Sequence, residues 1–195
     1  MKKMYLLISV LGLMLLSGCK KDEGPASKSP DSKLIISEIF NAGMAWNEEV
    51  RFLKSSYPIN IGVDNYAWGP EGGSIHVSGS ITGSMSINDD TGEVTGGTML
   101  LGLTETINDY AFSQDGVVYT MNGAPYISLT GTFTLQPGGN GFGTASSMQI
   151  GGGIRVTGGG YDQTINVSIT ININSSGNGG NVSGHVGGEQ VSYTF

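Results

Sequence analysis

Residues 164 to 174, "TINVSITININ", constrain the fold more than any other stretch of this chain. Ile165, Val167, Ile169, Ile171 and Ile173 alternate strictly with Asn166, Ser168, Thr170 and Asn172. A repeat of two places all the β-branched groups on one side of an extended strand and all the polar ones on the other. At ~3.3 Å per residue the run spans roughly 36 Å, well beyond an ordinary strand. "YISLTGTFTL" repeats the pattern, with Ile127, Leu129, Phe133 and Leu135 on one face and Gly131 where a side chain is missing. Shorter alternations occur at Ile75/Val77/Ile81, Met99/Leu101/Leu103, Val117/Tyr119/Met121, Ile154/Val156 and Val191/Tyr193/Phe195.

Turn chemistry separates these runs. Asp89-Asp90-Thr91-Gly92, Asp115-Gly116, Asn122-Gly123 and Gly187-Gly188 suit tight hairpins, because Asn, Asp and Gly tolerate positive φ. "PGGNG" at 137–141 and "SSGNGG" at 175–180 read as longer loops. Short connections imply sequential antiparallel pairing, a meander of about seven to eight strands. Gly79, Gly96, Gly102, Gly131, Gly152 and Gly184 fall inside the alternating runs. Glycines there permit sharp bending, so the expected fold is mainly β, curved into a barrel or half-barrel, with a two-layer sandwich as the competing architecture.

One segment has a different period. In "LIISEIFNAGMAWNEEVRFLK", Ile36, Ile39, Phe40, Gly43, Trp46, Val50 and Leu53 recur at steps of three and four, the spacing of one helix face. This predicts an N-terminal amphipathic helix over 34–56, closed by Pro58, ahead of a β-domain over 57–195. Its apolar stripe needs a surface to bury against, and the open face or mouth of the curved sheet supplies one.

The N-terminus carries an address. Lys2 and Lys3 precede an apolar stretch from Met4 to Leu16, and the small residues Ser17 and Gly18 lead into Cys19, the chain's single cysteine. That stretch is shorter than the ~20 residues a membrane-spanning helix takes and has the layout of a signal peptide over 1–18. Leu16-Ser17-Gly18-Cys19 resembles the lipobox of bacterial lipoproteins. The resemblance implies cleavage before Cys19 and acylation of its thiol and new N-terminus. More than one acyl chain is what anchors a protein stably to a bilayer. Lys20-Lys21-Asp22-Glu23 resembles the export signal of surface lipoproteins of Bacteroidota-type bacteria. Together these imply a lipidated tether over 19–33 and a protein held at the outer membrane, displayed on the cell surface in preference to facing the periplasm. Pro, Ser, Lys and Asp dominate that tether, as in a solvated linker.

Charge excludes one class of partner. The chain has a formal net charge of −7, and beyond residue 54 a single base, Arg155, faces ten acids. A surface with one cation cannot neutralise a row of phosphates, so nucleic acid is not an expected partner.

The residues offer little catalytic chemistry. His76 and His185 lie on predicted strands, and His185 with Glu189 flanks the Gly187-Gly188 turn without a third member for a metal or proton relay. "GGNGFG" at 138–143 is followed by neither a lysine nor a helix, unlike a phosphate loop. Asp89, Asp90 and Glu93 could offer hard oxygens to Ca²⁺, but their spacing is not that of the twelve-residue loop, and acids at a turn also serve to cap it. Glu105 and Asp109, four apart, do not by themselves flank a cleft as glycoside hydrolysis requires.

The binding candidates are therefore Tyr66 and Trp68 in "DNYAWG", whose rings can stack on sugars or anchor the link into the first strand, and Arg155, which can orient an anionic ligand if its face is interior. No metal or organic cofactor is implied. The expectation is a non-enzymatic, lipid-anchored envelope protein whose β-domain binds a small apolar or carbohydrate ligand or a protein partner. The alternative is a structural or adhesive subunit that exchanges its C-terminal strand.

Overall fold

The computed structural model describes residues 28–44, 57–91, 93–137, 146–174 and 180–194. One helix, α1 (Ser32–Met44), precedes eight strands: β1 (Tyr57–Trp68), β2 (Gly72–Ile87), β3 (Val94–Gln114), β4 (Val117–Leu135), β5 (Ser147–Gly158), β6 (Tyr161–Ile173), β7 (Gly180–Val186) and β8 (Glu189–Thr194). The strands form a single sheet in the order β1 to β8, every neighbouring pair antiparallel. The meander read from the turn residues is therefore present. The sheet is open, with β1 and β8 at its two margins rather than paired into a closed barrel. The sandwich is not the architecture, because there is one sheet.

Alternation decides which face is inside. Ile165, Val167, Ile169 and Ile171 of β6 are buried together with Met148, Ile150, Ile154 and Val156 of β5 and Ile127, Leu129 and Phe133 of β4. Their polar neighbours point to the opposite side. Near Asp109 the register of β3 shifts against both β2 and β4. Leu101, Leu103 and Ile107 point inward before the shift, and Tyr110 and Phe112 after it. Asp109 itself has φ 48°, and its backbone N–H and side chain both bond the Asn122 amide. Asn122-Gly123 is consequently not a hairpin turn, as its composition suggested. It lies inside β4, opposite this irregularity, and cross-strand bonding outweighs the local turn preference. Asp115-Gly116 and Gly187-Gly188 do connect strands, as expected.

The sheet curls around α1. In a flat sheet β3 and β8 would stand about 24 Å apart at ~4.8 Å per strand, whereas a helix is only ~10 Å across. Yet α1 and the segment before it meet both. Glu38 accepts a hydrogen bond from the Tyr110 hydroxyl at 2.5 Å, and Asp31 N–H donates to Gln114 Oε1 at 2.9 Å. The Lys33 ammonium lies 5.1 Å from the centre of the Tyr193 ring on β8. Glycines on the strands permit such bending: at Gly184, φ 143°, a Cβ would fall 2.0 Å from the Ser168 carbonyl oxygen.

Helix α1 starts earlier than its apolar spacing predicts. Asp31 caps it, its Oδ1 accepting from Lys33 N–H and its carbonyl oxygen from Leu34 and Ile35 N–H. The tether expected to run to Lys33 thus ends in ordered structure, and Tyr119 also bonds the Lys28 carbonyl at 3.2 Å. Ile35, Ile36, Ile39 and Ala42 are buried against the sheet. Each fully buried isoleucine is worth about 1.5–3 kcal/mol. The expected continuation of the helix through Trp46, Val50 and Leu53, the signal peptide and Cys19 to Glu23 lie outside the described residues. Among the described residues no helix is long and apolar enough to cross a membrane.

Candidate functional site

The sheet's outer face is mostly Ser, Thr, Asn and Gln; Leu100, Val118 and Tyr126 interrupt it singly, and at one margin two exposed aromatic residues stand together. Asp64, Tyr66 and Trp68 alternate with the inward Val63 and Ala67 along β1, so all three stand outward. In register with them on β2 are Ser78, His76 and Ser74. Tyr66 and His76 are direct cross-strand partners, with ring centres 4.5 Å apart and planes within 15°. Trp68 continues the row, 6.1 Å from Tyr66 and inclined by 21°. His76 Nε2 lies 2.6 Å from Asp64 Oδ1, so the carboxylate holds the imidazole in place with the proton on Nε2. The result is a row of three near-parallel rings with a carboxylate at its base.

Exposure distinguishes this row. Trp68 is 75% exposed and Tyr66 51%. The anchoring role that the link into the first strand suggested for them is therefore not what they do. Large rings left in water on the polar side of an edge strand forgo the burial that the inner face gives Tyr110, Phe112, Tyr119 and Phe133. Stacked rings beside a carboxylate suit the C–H faces of a sugar, while Asp64 can accept hydrogen bonds from its hydroxyls.

The structure does not bring Arg155 to this row. Arg155 stands on the outer face of β5, four strands away, and its Nε and Nη2 bond Asp162 Oδ1 and Oδ2 at 2.9 and 2.8 Å. That bidentate pair raises the guanidinium's pKa and lowers that of Asp162. Arg155 has no lumen to point into, and its charge is already matched. His185 faces Gln190 rather than Glu189 across the β7–β8 turn, because the register pairs Glu189 with Val186. At the Asp89-Asp90 turn the organising group is Asn88, whose Oδ1 accepts from Asp90 and Thr91 N–H.

Glu105 does not flank a cleft. It stands in the middle of β3, on the inner face, buried, and among the described residues neither carboxylate oxygen has a hydrogen-bond partner. Burial without a counter-charge pushes its pKa up to about 9, so at neutral pH it is a neutral acid. Gly43 of α1 sits directly over it: a Cβ there would lie 2.9 Å from Glu105 Oε1 and 2.5 Å from Leu129 Cδ2. The signal was present in the pattern, since Leu101, Leu103, Glu105 and Ile107 share one phase of the alternation. Above it, burial and then the hydrogen bond to Glu38 hold the Tyr110 phenol protonated to still higher pH than usual.

No protein-family model matches the chain, and no curated protein or solved structure matches it.

Proposed function

We propose that this chain is a non-enzymatic, lipid-anchored envelope protein that presents the Trp68–Tyr66–His76 row to a carbohydrate at the cell surface. The observation that carries the reading is that Trp68, Tyr66 and His76 stack in one row while Trp68 and Tyr66 stand in solvent. Acylation at Cys19, with Lys20 to Glu23 directing export, would hold the domain at the outer membrane. The curved sheet, a half-barrel filled by α1, would then serve as a rigid support for a margin that faces outward.

Affinity electrophoresis through gels containing soluble plant, microbial and host glycans tests the binding half. At least one neutral glycan should retard the protein, and Trp68→Ala and Tyr66→Ala should each weaken that retardation about tenfold or more, the loss of roughly 1.4 kcal/mol or above. Retardation unchanged in both variants would remove the reading. For the anchor, Cys19→Ser should release the protein from the membrane fraction and abolish labelling by a lipid precursor. Alanine at Lys21, Asp22 and Glu23 should reduce cleavage by external protease.

A second reading, a structural or adhesive subunit, draws on β8. This six-residue strand closes one margin of the sheet, and an uncapped edge is a template for another chain. Sedimentation at rising concentration would show oligomers that vanish on deleting Val191 to Phe195.

A further inference from the structure

Between α1 and β6–β8 runs a groove of about 350 Å³, walled by Ile36 and Phe40 from the helix and by Ile171, Val182 and Tyr193 from the sheet. Its volume falls at the small end of ligand pockets, which span ~300–1,000 Å³. The exposed Lys33 and Ser37 complete it. This groove lies on the opposite face of the sheet from the aromatic row, and nothing in the carbohydrate reading uses it.

Lys33 gives the groove its chemistry. Three cationic side chains occur among the described residues, at Lys28, Lys33 and Arg155, and Arg155 is committed to Asp162. Among the described residues Lys33 has no ion pair; its ammonium rests 5.1 Å above the centre of the Tyr193 ring, at the groove wall. Asp31, two residues away, directs its Oδ1 onto the Lys33 backbone N–H in capping the helix. The site is thus an apolar slot with a positive charge at one end that rests on a ring and, among the described residues, has no ion-pair partner, in a chain of formal net charge −7 that repels anions elsewhere.

The geometry points to a single-chain anionic amphiphile, a medium-length fatty-acid carboxylate, as the groove's ligand. Its tail lies against Ile36, Phe40, Ile171 and Val182, and its carboxylate pairs with the Lys33 ammonium. If a methylene takes about the ~30 Å³ share of a water molecule, the slot holds roughly ten to twelve carbons. Each buried methylene then tightens binding roughly fourfold. A neutral alkanol of the same length fills the walls equally well and lacks the partner for Lys33.

Titration calorimetry with decanoate and decanol, on the full chain carrying Cys19→Ser so that no attached acyl chain competes, tests this. Decanoate should bind once per chain and saturate. Lys33→Glu should weaken decanoate at least tenfold and leave decanol within twofold. Ser37→Trp, a bulky side chain at an exposed position on the groove, should abolish binding of both with the melting curve unchanged. Trp68→Ala should leave decanoate affinity untouched, which keeps this test separate from the glycan experiment. The proposal is overturned by decanoate that fails to saturate, by saturable binding that survives Ser37→Trp, or by Lys33→Glu affecting both ligands alike. It is equally overturned by a dimer that buries the groove and that decanoate does not disperse.

Discussion

Along β4, Leu129 is sealed in the interior while its neighbour Thr130 stands in solvent, and the same contrast repeats across the sheet. The inner face is aliphatic and aromatic, wrapped on α1; the outer face is mostly hydroxyl and amide. Each face has departures from its pattern, and the sharpest are opposite in kind. Inside, Glu105 is a carboxyl in an apolar row with no partner for either oxygen among the described residues. Outside, Trp68 and Tyr66 are large rings in a polar row with water around them. The alternating pattern builds the stable frame, while departures from it mark strain on one side and the proposed binding surface on the other. Glu105 works against the fold, and the ring row contributes little to it.

The largest effect should come from placing a charge on each face in turn. Leu129→Asp buries an unpaired carboxylate and should destabilise by about 3–5 kcal/mol, enough to leave the domain largely unfolded. Thr130→Asp, one residue along, should stay within about 0.5 kcal/mol. Chemical denaturation of the pair measures the asymmetry; equal losses would show that the faces are not distinct.

Next comes Glu105. Its folded pKa is raised to about 9 from 4.5, so the folded state holds this proton more tightly than the unfolded chain does. The stability this provides is complete below pH 4.5 and declines by about 1.4 kcal/mol per pH unit until it is lost as pH passes 9. At pH 7 the carboxyl's deficit is roughly 3 kcal/mol. Glu105→Met, unbranched and able to fill the same space, should recover stability on that order and flatten the profile between pH 5 and 9. Glu105→Gln should flatten it too while leaving a polar group unsatisfied. A wild-type profile already flat over that range would contradict a neutral buried acid.

A smaller loss is expected at the contact between helix and sheet. Gly43→Val would press on Leu129 and Glu105 and should cost about 1–3 kcal/mol through overpacking. Smaller again are the outer-face changes. Trp68→Ala and Tyr66→Ala should shift unfolding by about 0.5 kcal/mol or less, although they are the variants expected to lose ligand. Least of all, Arg155→Ala should move neither the unfolding midpoint nor glycan retardation, because that ion pair is exposed and distant from the row.

Much of the fold was legible because a period of two has one physical meaning. The runs around Ile169 and Leu129, punctuated by Asp115-Gly116 and Gly187-Gly188, are enough to give a sequential antiparallel sheet. Asn122-Gly123 misled because turn propensity is local, whereas the Asn122 amide is held by Asp109, 13 residues away in sequence. The helix start was misplaced by weighing the apolar stripe above the cap at Asp31, which was readable. Closure was not readable, since whether β1 meets β8 depends on accumulated bend and twist rather than on any one residue. Tyr66 and Trp68 were visible as aromatic residues beside polar ones. Their exposure was not, because a ring's solvent contact is decided by the parity of β1 relative to a core completed by strands far along the chain.

The most direct measurement follows the emission of Trp68 itself. With Trp46→Phe as background, Trp68 is the single indole of the chain. Titrating the soluble glycan that retards the protein should shift its emission to the blue and saturate, as a sugar ring displaces water from the indole face. Saturable glycan binding with Trp68 emission unmoved would place the ligand elsewhere and contradict the outer aromatic row as the binding surface.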